Sequence, residues 1–385
     1  MCSSDLGVLT ELDDNKVKLD TSSIKTVKVK VVAKDTSGNE TVEEKEISIV
    51  DTISPVVSIE TDKASYKEGE SVLFTASITD NGNIAKVEAK LNGNPVVLDE
   101  ENRLKKLKEV TYSNIEALEK ILGYNIENNI HFYRMTSNFI PLATHPDVMW
   151  DYLKYFKKDL EYIGKLIKDN NLRVDAHPDQ FNVINSDKES VVENTLRTLN
   201  MQVDLFEAMN YEDGKMVIHI GGAKGGKDLA SDRFIYNLKK FPQRITNRLI
   251  LENDDKTFNA EEVLKICKQT KLPMVLDVHH HNCNSCEEDI KSLLPKVFST
   301  WEEEKLPPKI HFSSPREFEN DRKHADFIDA KKFLEFIYNA KESVNKNFDV
   351  MLEAKKKDIT LNTLVKDLKH ITKDIKFIDN STFEI

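Results

Sequence analysis

Four short runs, KMVIHI (215–220), RLILEN (248–253), PMVLDV (273–278) and PKIHFS (308–313), decide how the second part of this 385-residue chain folds. Each is a brief apolar stretch, too short for a helix, that ends beside a histidine or a carboxylate. Outward from them lie three runs of the same kind, IHFYRM (130–135), LRVDAH (172–177) and DVMLEA (349–354). Amphipathic stretches with apolar residues at i, i+3 and i+4 separate them, at 114–124, 148–170, 189–210, 229–240, 260–269, 287–303, 330–345 and 359–373. Apolar strands alternating with helices mean parallel strands covered on both faces. The regular βα unit over roughly 280 residues fits a TIM (β/α) barrel better than an open sheet.

The first hundred residues read differently. IKTVKVKVVAK (24–34), TVEEKEISIV (41–50), VVSIET (56–61), SVLFTASIT (71–79) and AKVEAKLNG (85–93) are rich in β-branched residues and punctuated by turn-forming DTSGNE, EGE and NGN. Strands at about ten-residue spacing suggest an all-β sandwich. They resemble bacterial Ig-like repeats: the end of one over residues 1–50 and the start of a second over 51–100. The expectation is a structural or adhesive module with no catalytic constellation of its own.

The last six strands each finish on a metal-ligand or acid/base side chain: His177, His219, Glu252, Asp277 with His280, His311 and Glu353. The separations of 42, 33, 25, 34 and 42 residues are about one βα unit each. In a barrel this brings all of them to the rim where active sites of the fold lie. Taken alone, a strand-terminal histidine is a hydrogen-bonded structural residue. Six such ends in register need something to pair their charges and ring nitrogens. Mixed imidazole and carboxylate ligation suits zinc, manganese or iron, and the number of ligands points to two or three ions. Glu252, in mid-rim, is placed to bridge two. Such a cluster serves phosphodiester hydrolysis or a metal-dependent sugar isomerisation, and spacing alone leaves both open.

Eight ordered motifs carry a resemblance: IHFYRMTSNFIPLATHP, HPDQF, VIHIGG, LENDD, VLDVHHH, KIHFSSP, RKHADFID and MLEAKKKD. Over residues 104–385 the chain resembles the UV damage endonuclease family, within the barrel group of endonuclease IV and xylose isomerase. The resemblance implies a three-metal, often manganese-containing DNA repair endonuclease, with zinc or magnesium as alternatives. Such an enzyme nicks damaged double-stranded DNA 5′ to UV photoproducts and some other lesions. It implies His177, His219, Glu252, Asp277, His280, His311, His324 and Glu353 as metal ligands. Glu252 would bridge two ions, one shared with Asp277, His311 and Glu353, while His280 and His324 hold the third. Lys309 matches a lysine that the family can carry in carboxylated form, and His145 a residue near the scissile phosphate. With Glu252, these form the expected catalytic set. Gln180 and Phe181 match the pair that wedges into the duplex at the lesion, where stacking offsets the cost of unstacking.

The chain departs from the family in one respect. A member opens with its own first strand, a GY-containing segment and a loop, whereas NGNPVVLDEENRLKKLKEV (92–110) runs straight into the helix at 114–124. Residues 1–100 are therefore read as foreign to the barrel, with a junction near 95–105. Either a segment from 85–98 fills the gap or the barrel stays open.

Bulk properties constrain the rest. The net charge is −11; residues 1–100 carry −8 of it, leaving −3 for the barrel, where bound cations would offset several acidic groups. Acidity thus does not exclude a DNA partner. No apolar run reaches the ~20 residues of a membrane span, and MCSSDLGVLTELDDN lacks the features of a secretory signal. Cytoplasmic location, no membrane partner and a monomeric state are the expectations. Four cysteines make no disulfide framework. The CxxC of Cys283 and Cys286 is a single pair and reads as a surface loop, and His279 and His281 as turned away from the metals. A surface-binding protein with a passive barrel is the third reading; a secretory signal would have favoured it.

Overall fold

The computed structural model describes residues 100–385 apart from Asp147, together with eight short strands in the first 99 residues and a few positions beside them (39, 54–55 and 65). The chain divides into two compact units, Met1–Asp99 and Glu100–Ile385.

In the first unit the described residues pair as four antiparallel hairpins. These are β1 (Thr10–Leu12) with β2 (Lys16–Lys18), β3 (Thr26–Lys34) with β4 (Glu40–Ser48), β5 (Val56–Thr61) with β6 (Phe74–Thr79), and β7 (Ala89–Leu91) with β8 (Asn94–Val96). The described strands β3 to β7 fall on the β-branched runs expected as strands. Among the described residues no larger sheet joins the pairs. Val57 and Ile59, on one face of β5, are both exposed, where a sandwich would bury one face of each strand. Among the described residues the pairs are therefore separate hairpins and not an Ig-like sandwich.

The second unit opens with α1 (Glu100–Glu127), longer at its start than the 114–124 expected. Then come β9 (Phe132–Met135), α2 (Leu153–Asp169), β10 (Arg173–Ala176), α3 (Glu189–Ala208), β11 (Met216–His219), α4 (Lys227–Leu238) and the short α5 (Gln243–Thr246). β12 (Leu249–Glu252), α6 (Ala260–Thr270), β13 (Met274–Asp277), α7 (Val278–Cys283), α8 (Ile290–Ser299), β14 (Lys309–Phe312) and α9 (Ala330–Val344) follow. β15 (Asp349–Leu352), α10 (Lys357–Ile371) and a hairpin of β16 (Lys376–Phe377) with β17 (Phe383–Glu384) complete the chain. β9 to β15 form one parallel seven-stranded sheet in sequence order. All seven strands lie where the apolar runs put them, in a TIM-like barrel. No helix among the described residues is long and apolar enough to cross a membrane.

Alternation along each strand builds two cores. Met216, Ile218, Leu249, Leu251, Met274, Leu276, Ile310 and Phe312 join the large cluster beneath the helices. Val217, Ile250 and Val275 point the other way and pack with Trp301. Each of these three stands two residues before His219, Glu252 or Asp277, and period-2 geometry puts it one layer beneath its candidate ligand. The outer helices follow their apolar spacing: α2 buries Phe156, Leu160, Ile163 and Ile167, each stabilising by roughly 1.5–3 kcal/mol relative to exposure. Gly164 on the same face lets α2 approach the residue after α3, since a Cβ there would meet the Met209 carbonyl oxygen at 1.7 Å.

β9 and β15 are the sheet's two edges, and no described strand stands between them. Within 85–98, the segment offered as one of the two alternatives for the gap, β7 and β8 pair with each other. Along this seam a cavity of about 1900 Å³ is lined by β15, by Phe333 and Ile337 of α9 and by Leu364 and Leu368 of α10, and it reaches the rim of candidate ligands. The C-terminal segment fastens one end. Ser381 Oγ donates to the Asn129 carbonyl at 2.6 Å, and His131 Nε2 lies 2.8 Å from Asp379 Oδ2.

Candidate metal centre

Register places the ligand candidates side by side. His219 is aligned with Glu252 across β11 and β12, and Asp277 with His311 across β13 and β14. Glu252, Asp277 and His311 are almost wholly buried. Glu252 stands at the centre. Its Oε2 is 3.0 Å from His177 Nε2 and 3.4 Å from His219 Nε2, while its Oε1 is 2.6 Å from His311 Nδ1. The two oxygens thus face different partners, as a bridging carboxylate requires.

Three groups around it have ligand atoms close enough to share an ion: His177, His219 and Glu252; Glu252, Asp277 and His280; and Glu252, His311 and Glu353. The second group has a local cause. Asp277 ends β13 and caps α7, its Oδ1 accepting the His280 amide at 2.7 Å, so the helix's first turn folds His280 back over it. Asp277 thereby groups with His280, not with His311 and Glu353. His324 enters none of the three groups. It lies between the two partners expected for it or near it: its ring is 6.3 Å from that of His280, and its Nδ1 is 3.7 Å from Glu353 Oε2.

Several buried atoms at this rim lack hydrogen-bond partners: Asp277 Oδ2, His219 Nδ1 and His311 Nε2. Orphans of this kind are costly in a protein interior unless a cation takes them, so the donor set fits divalent metal. The protonation tendencies agree. Burial pushes the Asp277 carboxyl up to about 8 against the lowering effect of His280, and neighbouring Glu252 and Glu353 add to the rise. Burial would lower His280, but Asp277 and Glu252 raise it to about 9. Burial would raise Glu252 too, yet the imidazoles of His311, His219 and His177 hold it well below the ordinary carboxylate range. Glu353 is held at about 2 against burial by His311 and Arg134. The imidazole charges stand where a cation would, and a bound cation would neutralise the carboxylates and displace the ring protons.

The remaining expected residues fall in distinct places. Gln180 and Phe181 lie on the loop just after His177, both exposed, with Phe181 77% accessible. That loop is stiffened locally: Asp179 Oδ1 accepts the Phe181 amide at 2.9 Å. Further along it, Asn185 Nδ2 donates to the Gly222 carbonyl at 2.7 Å. The neighbouring Gly221 has φ +107°, and a Cβ there would lie 2.4 Å from Asn185 Oδ1. VIHIGG therefore needs its glycine to hold the loop against β11. His145 is exposed on the loop at 136–152 and does not line the cavity that reaches the ligands. Lys309 lies one layer beneath His311, fully buried, with Nζ 2.7 Å from Asp175 Oδ2. Burial lowers its ammonium, although Asp175 opposes the shift.

His279 is buried with Nε2 3.8 Å from Cys283 Sγ and its ring 5.4 Å from that of His324. Among the described residues neither Cys283 nor Cys286 enters a ligand group, and Cys2 lies outside the described residues.

Three residues were missed. Asn253 exchanges two hydrogen bonds with the Asp277 backbone, at 2.9 and 3.0 Å, and its carbonyl lies 2.9 Å from His280 Nδ1. Asp175 holds Lys309. Arg134 ion-pairs with Glu353 across the seam. For Arg134 and Asp175 the signal was a charge inside a short apolar strand, which has to meet a partner in the barrel interior or at its rim.

A family model described as UV-endonuclease UvdE matches residues 75–384. A UV DNA damage endonuclease from Bacillus cereus (strain Q1) is 41% identical over 288 residues, covering 74% of this chain and 90% of that protein. One from Bacillus mycoides (strain KBAB4) is 41% identical over the same length, with the same coverage. The crystal structure of SacUVDE aligns with a TM-score of 0.64 at 35% identity, over 74% of this chain and 93% of that one.

Proposed function

Because this chain belongs to the UV-endonuclease UvdE family, we propose that it is a metal-dependent DNA repair endonuclease that hydrolyses the phosphodiester bond 5′ to UV photoproducts and other lesions. The observation that carries this reading is the buried Glu252 carboxylate, shared by three ligand groups at the C-terminal rim of the barrel. When bound there, two or three divalent ions, manganese foremost and zinc or magnesium as alternatives, would activate the nucleophile and neutralise charge on the phosphate.

The chain's own residues do the rest. His177 places Nδ1 3.1 Å from the Pro178 carbonyl, which orients its ring and leaves Nε2 for the site. Asn253 locks Asp277 and His280 to the end of β12. Lys309, paired with Asp175 under the ligands, belongs with Glu252 and His145 to the expected catalytic set. His324 completes the expected set of eight as a ligand beside Glu353. Gln180 and Phe181 stand clear of the surface, where an amide and an aromatic face can fill a vacated base stack. His145 is offered for contact with the scissile phosphate. A monomer acting in the cytoplasm accords with this chemistry. For residues 1–100 the proposal is an Ig-like segment foreign to the enzyme, although the family match begins at residue 75. Replacing 1–103 with a relative's first strand and loop should raise stability and incision; equal values would refute it.

The test of the function is incision of UV-irradiated against untreated supercoiled plasmid with added manganese. Nicking confined to irradiated DNA and abolished by chelator is expected. Equal nicking of both substrates, or none of either by metal-loaded protein, refutes the assignment.

A further inference from the structure

Glu353 follows directly on β15, an edge strand, and a ligand in that position needs more than strand pairing to aim it. On one side β15 is fixed to β14 by the register from Lys309↔Asp349 to Phe312↔Leu352. On the other it faces the seam cavity. All four of its residues are only half-buried, whereas β10, β12, β13 and β14 are buried throughout. Two arginines from the opposite side of the opening hold its ends. Arg173 on β10 places Nη1 2.7 Å from Asp349 Oδ2 and donates to the Pro307 carbonyl at 2.9 Å. Arg134 on β9 pairs with Glu353 Oε1 just beyond the other end. The same Oε1 lies 3.3 Å from His311 Nδ1, and Oε2 3.7 Å from His324 Nδ1.

We propose that Arg134 is a positioning residue that fixes the Glu353 carboxylate across the open seam and so sets the ion affinity of the Glu252–His311–Glu353 group. This rests on the divalent-metal reading of the rim. A planar guanidinium constrains the direction as well as the charge of a carboxylate. Because no strand hydrogen bonds hold β9 to β15, loss of this pair frees Glu353 on the side where β15 is weakest. A ligand group needs its members held to within about 0.5 Å. Residues that orient metal ligands typically alter metal affinity about 10–100-fold when removed.

The experiment titrates manganese into the full-length parent, Arg134→Ala, Arg134→Gln and Arg134→Lys, counting bound ions by elemental analysis and affinities by calorimetry. Thermal stability without ions is measured alongside. Arg134→Ala should weaken one class of ion about 10–100-fold and leave the remaining ions at parent affinity. Arg134→Lys should recover part of the loss. Should the alanine variant fold poorly, Arg134→Gln carries the comparison, since it keeps hydrogen-bond donors without the charge. Parent affinity and parent ion count in both neutral variants would overturn the proposal. So would uniform weakening of every ion in step with reduced ion-free stability, which marks a merely structural pair. A parent that binds less than one ion overturns the metal reading itself, and the role of Arg134 falls with it.

Discussion

Replacing Glu252 with glutamine should dismantle the centre without emptying the space it occupies. The amide is nearly isosteric, so the floor of Val217, Ile250 and Val275 beneath it stays packed. What changes is charge. The carboxylate is 1% exposed and has three imidazole nitrogens at 2.6, 3.0 and 3.4 Å, divided between its two oxygens. Removing one partner of a buried charged pair costs about 3–5 kcal/mol. At roughly 1.4 kcal/mol per tenfold, that is on the order of 10²- to 10³-fold in ion affinity or more. Because the two oxygens serve different groups, at least two ions should weaken together, and incision should fall by a similar or larger factor. Glu252→Asp retains the charge but withdraws it by one methylene, so its effect should be intermediate. Elemental analysis after manganese loading and dialysis reads the ions, and plasmid nicking reads the activity. If Glu252→Gln keeps the parent ion count and nicks irradiated plasmid at the parent rate, the bridging carboxylate is wrong.

Three further outcomes are expected. Gln180→Ala with Phe181→Ala should slow incision of damaged duplex while leaving the ion count at parent level, since base stacking contributes about 1–3 kcal/mol per base; parent rates in the double variant would remove the wedge. In the ion-free protein, burial and the nearby Glu252 and Glu353 carboxylates raise Asp277 from 3.8 to about 8. The folded state then holds a proton that the unfolded state gives up, so the contribution of Asp277 to stability is fullest below about pH 4 and declines as pH rises through about 8. Denaturant titrations at several pH values should show the stability of the parent relative to Asp277→Asn declining over that window; a relative stability that rises contradicts the environment described for Asp277. Finally, Cys267 is buried with its thiol pushed up by desolvation, so a thiol reagent should label Cys283 and Cys286 in the native protein well before Cys267. Early labelling of Cys267, located by peptide mapping, would show that α6 does not pack as described.

The amino-acid sequence by itself determined the barrel strands and the ring of candidate ligands. Both signals are local: an apolar run of four to six residues ends on a chemical group, and repetition at one βα unit carries those ends to one rim. Gln180 and Phe181 were legible only through the resemblance of HPDQF to the family motif, since neither residue type nor strand position singles them out. What only the tertiary structure decided is how the ligands group and what aims them. Asp277 joins His280 because the capping of α7 turns the chain back, a matter of three residues of backbone geometry that residue type does not reveal. Lys309 meets Asp175 across 134 residues of sequence, and Arg134 meets Glu353 across 219. Such pairings depend on which strands face each other through the barrel interior and across its opening. Burial makes every charge in that interior find a partner, but only the path of the chain through space selects which one.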